Sequence, residues 1–367
     1  MSKRERFDVK HPDAREITDR IVHGAYITEG TMVAFPTCFP AVTVPLPGDE
    51  SRITALDVSA DGMVYAGTSG RASHLLVGMF HGVTGMVFDM GVVEGANQSV
   101  AVVCGRERFV AAVNGPDSGR LMAHKLAPLP FSLIQEWNIS RSPLNEVGKE
   151  LDGEKIVHMV GDATGAYAIG VTPTRLFRLD IASGSATIVD KLVGRGRLVR
   201  GGSGGVFGVD DDDTLWRYDT ASATLKRKAV RLPEGKWSAQ SLRWGRDTIN
   251  GTLYTADSQG TLYAFDEGRG FSAPLCKVPV APVGPMAVTL DGRLYGTFGD
   301  EMSMLFCYDP QTRELKTLGV AVSVLERRRY GYTFGDAAVG RDGQIFFGED
   351  DDLGHLWMYF PKILPRR

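Results

Sequence analysis

Cysteine and histidine are scarce in this chain, and long apolar runs are missing. The four cysteines, Cys38, Cys104, Cys276 and Cys307, lie far apart among 367 residues and form no C-x-x-C pair. That excludes the common zinc and redox motifs and predicts free, mostly buried thiols in a reducing compartment. His11, His23, His81, His124 and His158 show no metal-ligand spacing, and no H-E-x-x-H or G-x-S-x-G is present. Gly201-Gly202-Ser203-Gly204-Gly205 has no Lys-Ser/Thr behind it, so it is not a phosphate loop. No run approaches a membrane span. The opening Met1-Ser2-Lys3-Arg4-Glu5-Arg6-Phe7-Asp8 is charged with no apolar stretch after it, so no secretory signal is read and a cytoplasmic location is expected. Lys+Arg 41 against Asp+Glu 44 gives a net charge of −3, too balanced to draw in nucleic acid generally. Neither nucleic acid nor membrane is expected as a partner. No resident cofactor is expected; no D-x-D-x-D-G loop argues for a hard cation, though a divalent cation is left open.

Glycine, by contrast, is abundant at 44 residues. A short phrase, small or polar residue, leucine, apolar residue, returns along the chain. Its copies include Ser73-His74-Leu75-Leu76, Gly119-Arg120-Leu121-Met122, Thr174-Arg175-Leu176-Phe177, Asp213-Thr214-Leu215-Trp216, Gly260-Thr261-Leu262-Tyr263, Met304-Leu305-Phe306 and Gly354-His355-Leu356-Trp357. The steps between successive leucines are 46, 55, 39, 47, 43 and 51. That period fits a four-stranded propeller blade. A second phrase, a turn and then an apolar-aromatic strand, precedes the leucines: the turn is Asp61-Gly62, Asn250-Gly251, Asp291-Gly292 or Asp342-Gly343 in four copies, Gly165-Ala166 and Gly204-Gly205 in two, and the second copy, Glu107-Arg108-Phe109, is irregular. The Asp-Gly and Asn-Gly dipeptides predict hairpins with type I′ turns, whose two central residues need positive φ.

The expectation is an all-β, single-domain, seven-bladed β-propeller spanning 1–367, with four-stranded antiparallel blades over about 53–361. Each blade reads A, turn, B, loop, C with the leucine, then D. In the first these are about 53–59, 63–67, 74–80 and 84–89. Small residues in strand B let backbones approach, and large ones in C fill the space between blades. Asp180, Asp219, Asp266 and Asp309 end strand C and should begin turns. The last blade lacks a fourth strand, so a segment within 20–46 should supply it and close the ring, removing two open edges. An insertion at about 126–156, with Pro128, Pro130, Trp137 and Pro143, suggests an excursion over one face, a possible lid.

In such a ring the B–C loops and D–A connections share one rim. That rim gathers Asp210–Asp213, Glu349–Asp352, Arg195, Arg197, Arg200, Arg327, Arg328, Arg329, Tyr330 and Tyr332, with His74 and His355 starting strand C in adjoining blades. Arginine pairs bidentately with carboxylates, and histidine and tyrosine move protons, so the rim suits an anionic sugar. The structural readings stand beside it. Acidic runs form solvated loops, the arginines pair with those acids, and the two histidines are hydrogen-bonded strand starts.

The closing third, with Leu305-Phe306-Cys307-Tyr308-Asp309-Pro310, Arg329-Tyr330-Gly331-Tyr332, Gly340-Arg341-Asp342-Gly343-Gln344-Ile345-Phe346-Phe347-Gly348-Glu349 and Gly354-His355-Leu356-Trp357-Met358-Tyr359-Phe360-Pro361, resembles propellers of the polysaccharide-lyase type. The likeness is to ulvan lyases and rhamnose–glucuronate lyases. It implies β-elimination beside a uronic acid: a base takes the proton α to the carboxyl group, arginines neutralise the carboxylate, and an acid assists the leaving oxygen. On this reading His74 is the base or its partner, Tyr330 or Tyr332 the proton donor, and Arg329 with Arg197 the carboxylate clamp. Arg243 and His355 are second choices. The ligand would be a small anionic saccharide or glycoside. Two alternatives stay open. One is a non-catalytic propeller binding a protein partner, favoured by Gly170-Val171-Thr172-Pro173 where related propellers carry a tyrosine before proline. The other is a hydrolase or isomerase using the same funnel.

Overall fold

The computed structural model describes residues 30–38, 45–82, 84–126, 143–240, 242–323, 330–352 and 354–366. These residues form an all-β, propeller-like arrangement. None of their helices is long and apolar enough to cross a membrane.

Five sheets follow one another along the chain, each a run of consecutive antiparallel strands. Their first strands are Gln98–Cys104, His158–Gly161, Val199–Arg200, Trp244–Arg246 and Val283–Val288. A sixth sheet has eight strands. Half of it is Arg52–Val58, Val64–Ser69, Ser73–His81 and Thr84–Val93; the other half is Phe334–Val339, Ile345–Glu349, His355–Pro361 and Gly30–Cys38. Gly30–Cys38 runs antiparallel to His355–Pro361 over seven residue pairs, and meets Thr84–Val93 in parallel over two, Thr37↔Val87 and Cys38↔Phe88. The N-terminal closure segment thus does supply the strand missing at the other end of the chain. The first four strands of the repeat fall within a few residues of their sequence-based positions.

The first strands stand side by side. Arg52–Val58 lies between Gln98–Cys104 and Phe334–Val339; the neighbours then continue through His158–Gly161 to Val199–Arg200 on one side, and through Val283–Val288 to Trp244–Arg246 on the other. Apolar side chains fill the gaps between successive sheets. One cluster joins Tyr65, Leu75 and Phe88 to Phe109 and Met122, and another joins Val33 and Phe35 to Ile53, Leu76 and Leu356. Each fully buried side chain of this kind contributes roughly 1.5–3 kcal/mol.

Two details of the repeat have clear physical causes. Strand C ends at Asp180, Asp219, Asp266 and Asp309, whose carboxylates accept hydrogen bonds from the amides of Ser183, Ser222, Arg269 and Gln311. They are turn-formers, as expected. The small residues of strand B serve two purposes: at Gly348 a Cβ would fall 2.7 Å from the Ile53 carbonyl oxygen of the adjoining strand Arg52–Val58, the backbone approach expected, while three others face rings. Gly170, Gly208 and Gly296 stand directly opposite Phe177, Trp216 and Phe306 in strand C. A Cβ on any of them would fall 2.2 to 2.7 Å from that aromatic ring, so the glycine makes room for the ring rather than for another backbone.

The A–B turns are not type I′. At Asp61-Gly62 and Asp291-Gly292 only the glycine has positive φ, +89° and +87°. The Gly62 amide donates to the Ser59 carbonyl, and the Ser59 amide to the Met63 carbonyl. This longer loop places its left-handed residue at the glycine alone.

Most of the insertion, 127–142, lies outside the described residues. Beyond it, Asn145–Val147 pairs with Gly119–Lys125 as the fourth strand of its sheet, and Lys149–Leu151 makes one 3-10 turn.

Candidate functional site

The side-by-side first strands enclose a channel of about 360 Å³, lined by residues from all of them. A second cavity of about 390 Å³ opens at the end where those strands begin; Thr54, Gln98, His158, Arg197, Arg243, Phe334 and Asp350 border it. This is the rim shared by the B–C loops and the D–A connections.

Arg197 and Arg243, both named from sequence, meet here and line both cavities. Their surroundings differ. Arg197 donates to the Asp336 carboxylate at 2.6 Å and to the Gly335 carbonyl at 2.8 Å. Arg243 donates to the carbonyls of Gln240 and Leu242, at 2.9 and 3.3 Å. Burial, reinforced by the charge of Arg197, lowers the Arg243 guanidinium to about 10. Asp350 is pushed above the ordinary carboxylate value by burial, against the pull of Arg52, Arg197 and Arg243.

His158, at the start of its strand, lines the same two cavities as these cations. Burial first, then the charges of Arg197 and Arg243, hold its pKa well below the ordinary histidine value. It is therefore neutral. The Leu198 amide donates to its Nδ1 at 3.2 Å, which leaves the proton on Nε2. The mouth thus offers two guanidiniums and one imidazole N–H, an arrangement suited to an anionic or carbonyl oxygen.

The other candidates lie elsewhere. His74 is buried, its Nε2 3.1 Å from Glu50 and its Nδ1 3.2 Å from Asp89. Burial acts to lower its pKa, but Asp89 and Glu50 outweigh that and raise it above the ordinary value. Its amide donates to Thr68 Oγ1. His355 is buried too; its amide donates to Glu349 Oε2 at 2.9 Å, and its Nδ1 lies 3.5 Å from that oxygen. Tyr330 sits in the short strand Tyr330–Gly331, paired with Val322 and Ala321. Tyr332 is exposed, and its carbonyl accepts from the Ser303 amide. Neither cavity is lined by His74, His355, Tyr330 or Tyr332. Arg329, with Arg327 and Arg328, lies outside the described residues.

The acidic loop at Asp210–Asp213 pairs with nearby bases. Asp211 meets Arg195 at 2.9 Å, and Asp212 meets Lys228. Among the described residues, no group of three or more His, Cys, Asp or Glu side chains could hold a metal ion.

Sequence reasoning passed over Asp336, weighed His158 only as a metal ligand, and named Asp350 only as part of an acidic rim loop. The available signal was position: His158 opens the first strand of its sheet, and Asp350 sits in a B–C loop already assigned to the rim.

No protein-family model and no curated protein matches the chain. Solved structures do. A streptogramin B lyase aligns at TM-score 0.65 and 10% identity, covering 91% of this chain and 98% of that one. A virginiamycin B lyase from Staphylococcus aureus aligns at TM-score 0.61 and 9% identity, covering 84% and 95%. A Bacteroides thetaiotaomicron protein of unknown function aligns at TM-score 0.52 and 10% identity, covering 91% and 76%. The first two carry lyase names of another kind than the ulvan and rhamnose–glucuronate lyases, and at such identities the likeness of all three establishes the fold alone.

Proposed function

We propose that the chain is a seven-bladed propeller whose channel mouth binds a small carboxylate-bearing ligand and cleaves it by β-elimination, a uronate-containing oligosaccharide or glycoside being the class that fits. The blade count is supported by dividing the eight-stranded sheet at Gly30–Cys38 into two four-stranded blades. It is supported further by apolar clusters lying between all seven successive pairs.

The observation that carries the functional reading is the convergence of Arg197 and Arg243 beside a neutral His158. Two guanidiniums on a carboxylate make the adjacent C–H more acidic by stabilising the charge that develops as the proton leaves. His158 Nε2–H would steady the same oxygen, and the Asp350 carboxylate, which borders the same cavity, would take the α-proton. Tyr332, exposed and two residues before Phe334 of the mouth, is the proposed proton donor, with Tyr330 beside it. Arg329 stays a proposed second clamp. His74, held between two carboxylates, is assigned a structural role, as is His355. The lyase names of the similar structures add analogy only.

The test is absorbance of the conjugated unsaturated product across a panel of uronate-containing oligosaccharides and glycosides. Product should form with at least one and fall sharply in Arg243→Gln. Silence across the panel would refute elimination. Ligand binding without turnover is a second reading, favoured by Thr172 where a loop tyrosine was expected; calorimetric binding with no product would select it. Gain of water in the product mass would select a hydrolase.

A further inference from the structure

A second cluster lines the same channel, toward its opposite end, near the A–B turns. Arg200 ends the strand Val199–Arg200, and Trp244 and Arg246 lie two residues apart in Trp244–Arg246, hence on one face. Gly245 between them faces the other way, toward Leu294 and Met286.

All three side chains hold a buried N–H with no acceptor among the described residues: Arg200 Nε, Arg246 Nε and Trp244 Nε1. Buried donors are nearly always matched in folded proteins. Arg200 spends its Nη1 on the carbonyls of Gly161 and Asp162. The Arg246 side chain has no hydrogen bond or ion pair among the described residues. The acids near it are committed elsewhere. Asp247 is held by Arg366 at 2.8 and 3.0 Å, and Glu267 by Ser203 and Arg217. Asp57, also in the lining, accepts from the amides of Val58 and Cys104. Asp162 accepts from Thr164, Ala166 and Tyr167.

We infer that this end of the channel is a binding site for a small oxyanion of the phosphate or sulfate class, held by Arg246 and Arg200 with the Trp244 indole N–H. The anion supplies the acceptors that the protein withholds. Burial and the charge of Arg200 hold the Arg246 guanidinium down to about 10, a repulsion an anion would relieve. The site is separate from the carboxylate clamp and stands or falls without it.

The test is calorimetric titration of the full chain with inorganic phosphate, with sulfate and glucuronate as parallel probes. Wild type should bind phosphate, and Arg246→Gln should weaken it by about tenfold or more. Arg243→Gln should leave phosphate affinity within about twofold and lose glucuronate instead. Arg246→Lys keeps the charge but not the planar fork; it should fall between wild type and Arg246→Gln, and it answers the question if the glutamine variant does not fold. Absence of phosphate binding up to ~10 mM, or equal binding in wild type and both Arg246 variants, would overturn the inference. So would loss of phosphate in Arg243→Gln alone, which would place the anion at the mouth. Failure of the wild type to bind glucuronate, with its phosphate binding intact, would sink only the clamp.

Discussion

Arg366 grips Asp247 with two hydrogen bonds, 2.8 Å and 3.0 Å, across 119 residues of chain. The Asp247 carboxylate is almost wholly buried, at 2% exposure. The segment carrying Arg366 is fastened twice more. Leu364 donates its amide to Asp291, and Arg293 reaches the Lys362 carbonyl. The result is a latch over the turns of two neighbouring sheets. Asp247 also accepts from the amides of Ile249 and Asn250, so removing Arg366 leaves it partly satisfied. Arg366→Ala should cost about 2–3 kcal/mol in denaturant unfolding. Adding Asp247→Asn should cost less than the two single losses together. Strict additivity would show that the pair does not couple.

His74 makes stability depend on pH, with a definite sign. Glu50 and Asp89 raise its pKa above 6.5 despite burial. A histidine raised on folding contributes stability that is fully present below its unfolded pKa of about 6.5. That contribution is lost as pH rises through the folded value. The melting temperature of wild type should therefore fall relative to His74→Gln as pH increases from about 6 to 9. An imidazole titration below 6.5, or parallel pH profiles, would contradict the ion-pair account.

The Gly208–Trp216 pair makes a packing prediction. A Cβ at position 208 would lie 2.3 Å from Trp216 Cζ2 and 2.7 Å from Leu198 Cδ2. Trp216 is fully buried, so the ring has nowhere to move. Gly208→Ala should destabilise by about 1–3 kcal/mol through overpacking. Gly268→Ala, whose nearest neighbour would be 3.4 Å away, should change stability by less than about 0.5 kcal/mol. Equal effects at the two sites would refute the aromatic-cover explanation.

Sequence exposed the parts of the fold that repeat. Leu176, Leu215 and Leu262 recur because each strand C needs a core residue at one register, and Asp180, Asp219 and Asp266 recur because each next turn needs an acceptor. The closure strand was legible as a shortage, three strands where four were due. The channel was not legible, for two reasons. Its walls include strands as short as Val199–Arg200 and Trp244–Arg246, too brief for alternation to show which residues face inward. And its charges are partnered over long separations, as with Arg197 and Asp336, 139 residues apart. His74 and His355 shared a register with Thr214 and Thr261, which signalled a strand start. Whether such a side chain faces ligand or carboxylate depends on Glu50 and Glu349, and no local pattern reports that.

The two mouth arginines should separate stability from binding. Arg197 joins the ring across its seam: it holds Asp336 and the carbonyls of Gly335 and Thr54, and Asp336 in turn accepts from the Leu56 amide. Truncating it strands a partly buried carboxylate, so Arg197→Gln should lose about 2–3 kcal/mol of stability as well as carboxylate binding. Arg243 touches two carbonyls of its own connection and no carboxylate among the described residues. Its charge is disfavoured by burial and by Arg197. Arg243→Gln should therefore leave unfolding within about 0.5 kcal/mol of wild type, or stabilise slightly, while glucuronate affinity drops about tenfold or more. Denaturant unfolding and calorimetry on the same two variants decide the matter. If Arg243→Gln were the unstable one, the residue would be a strut of the ring, and the carboxylate clamp would lose its less encumbered member.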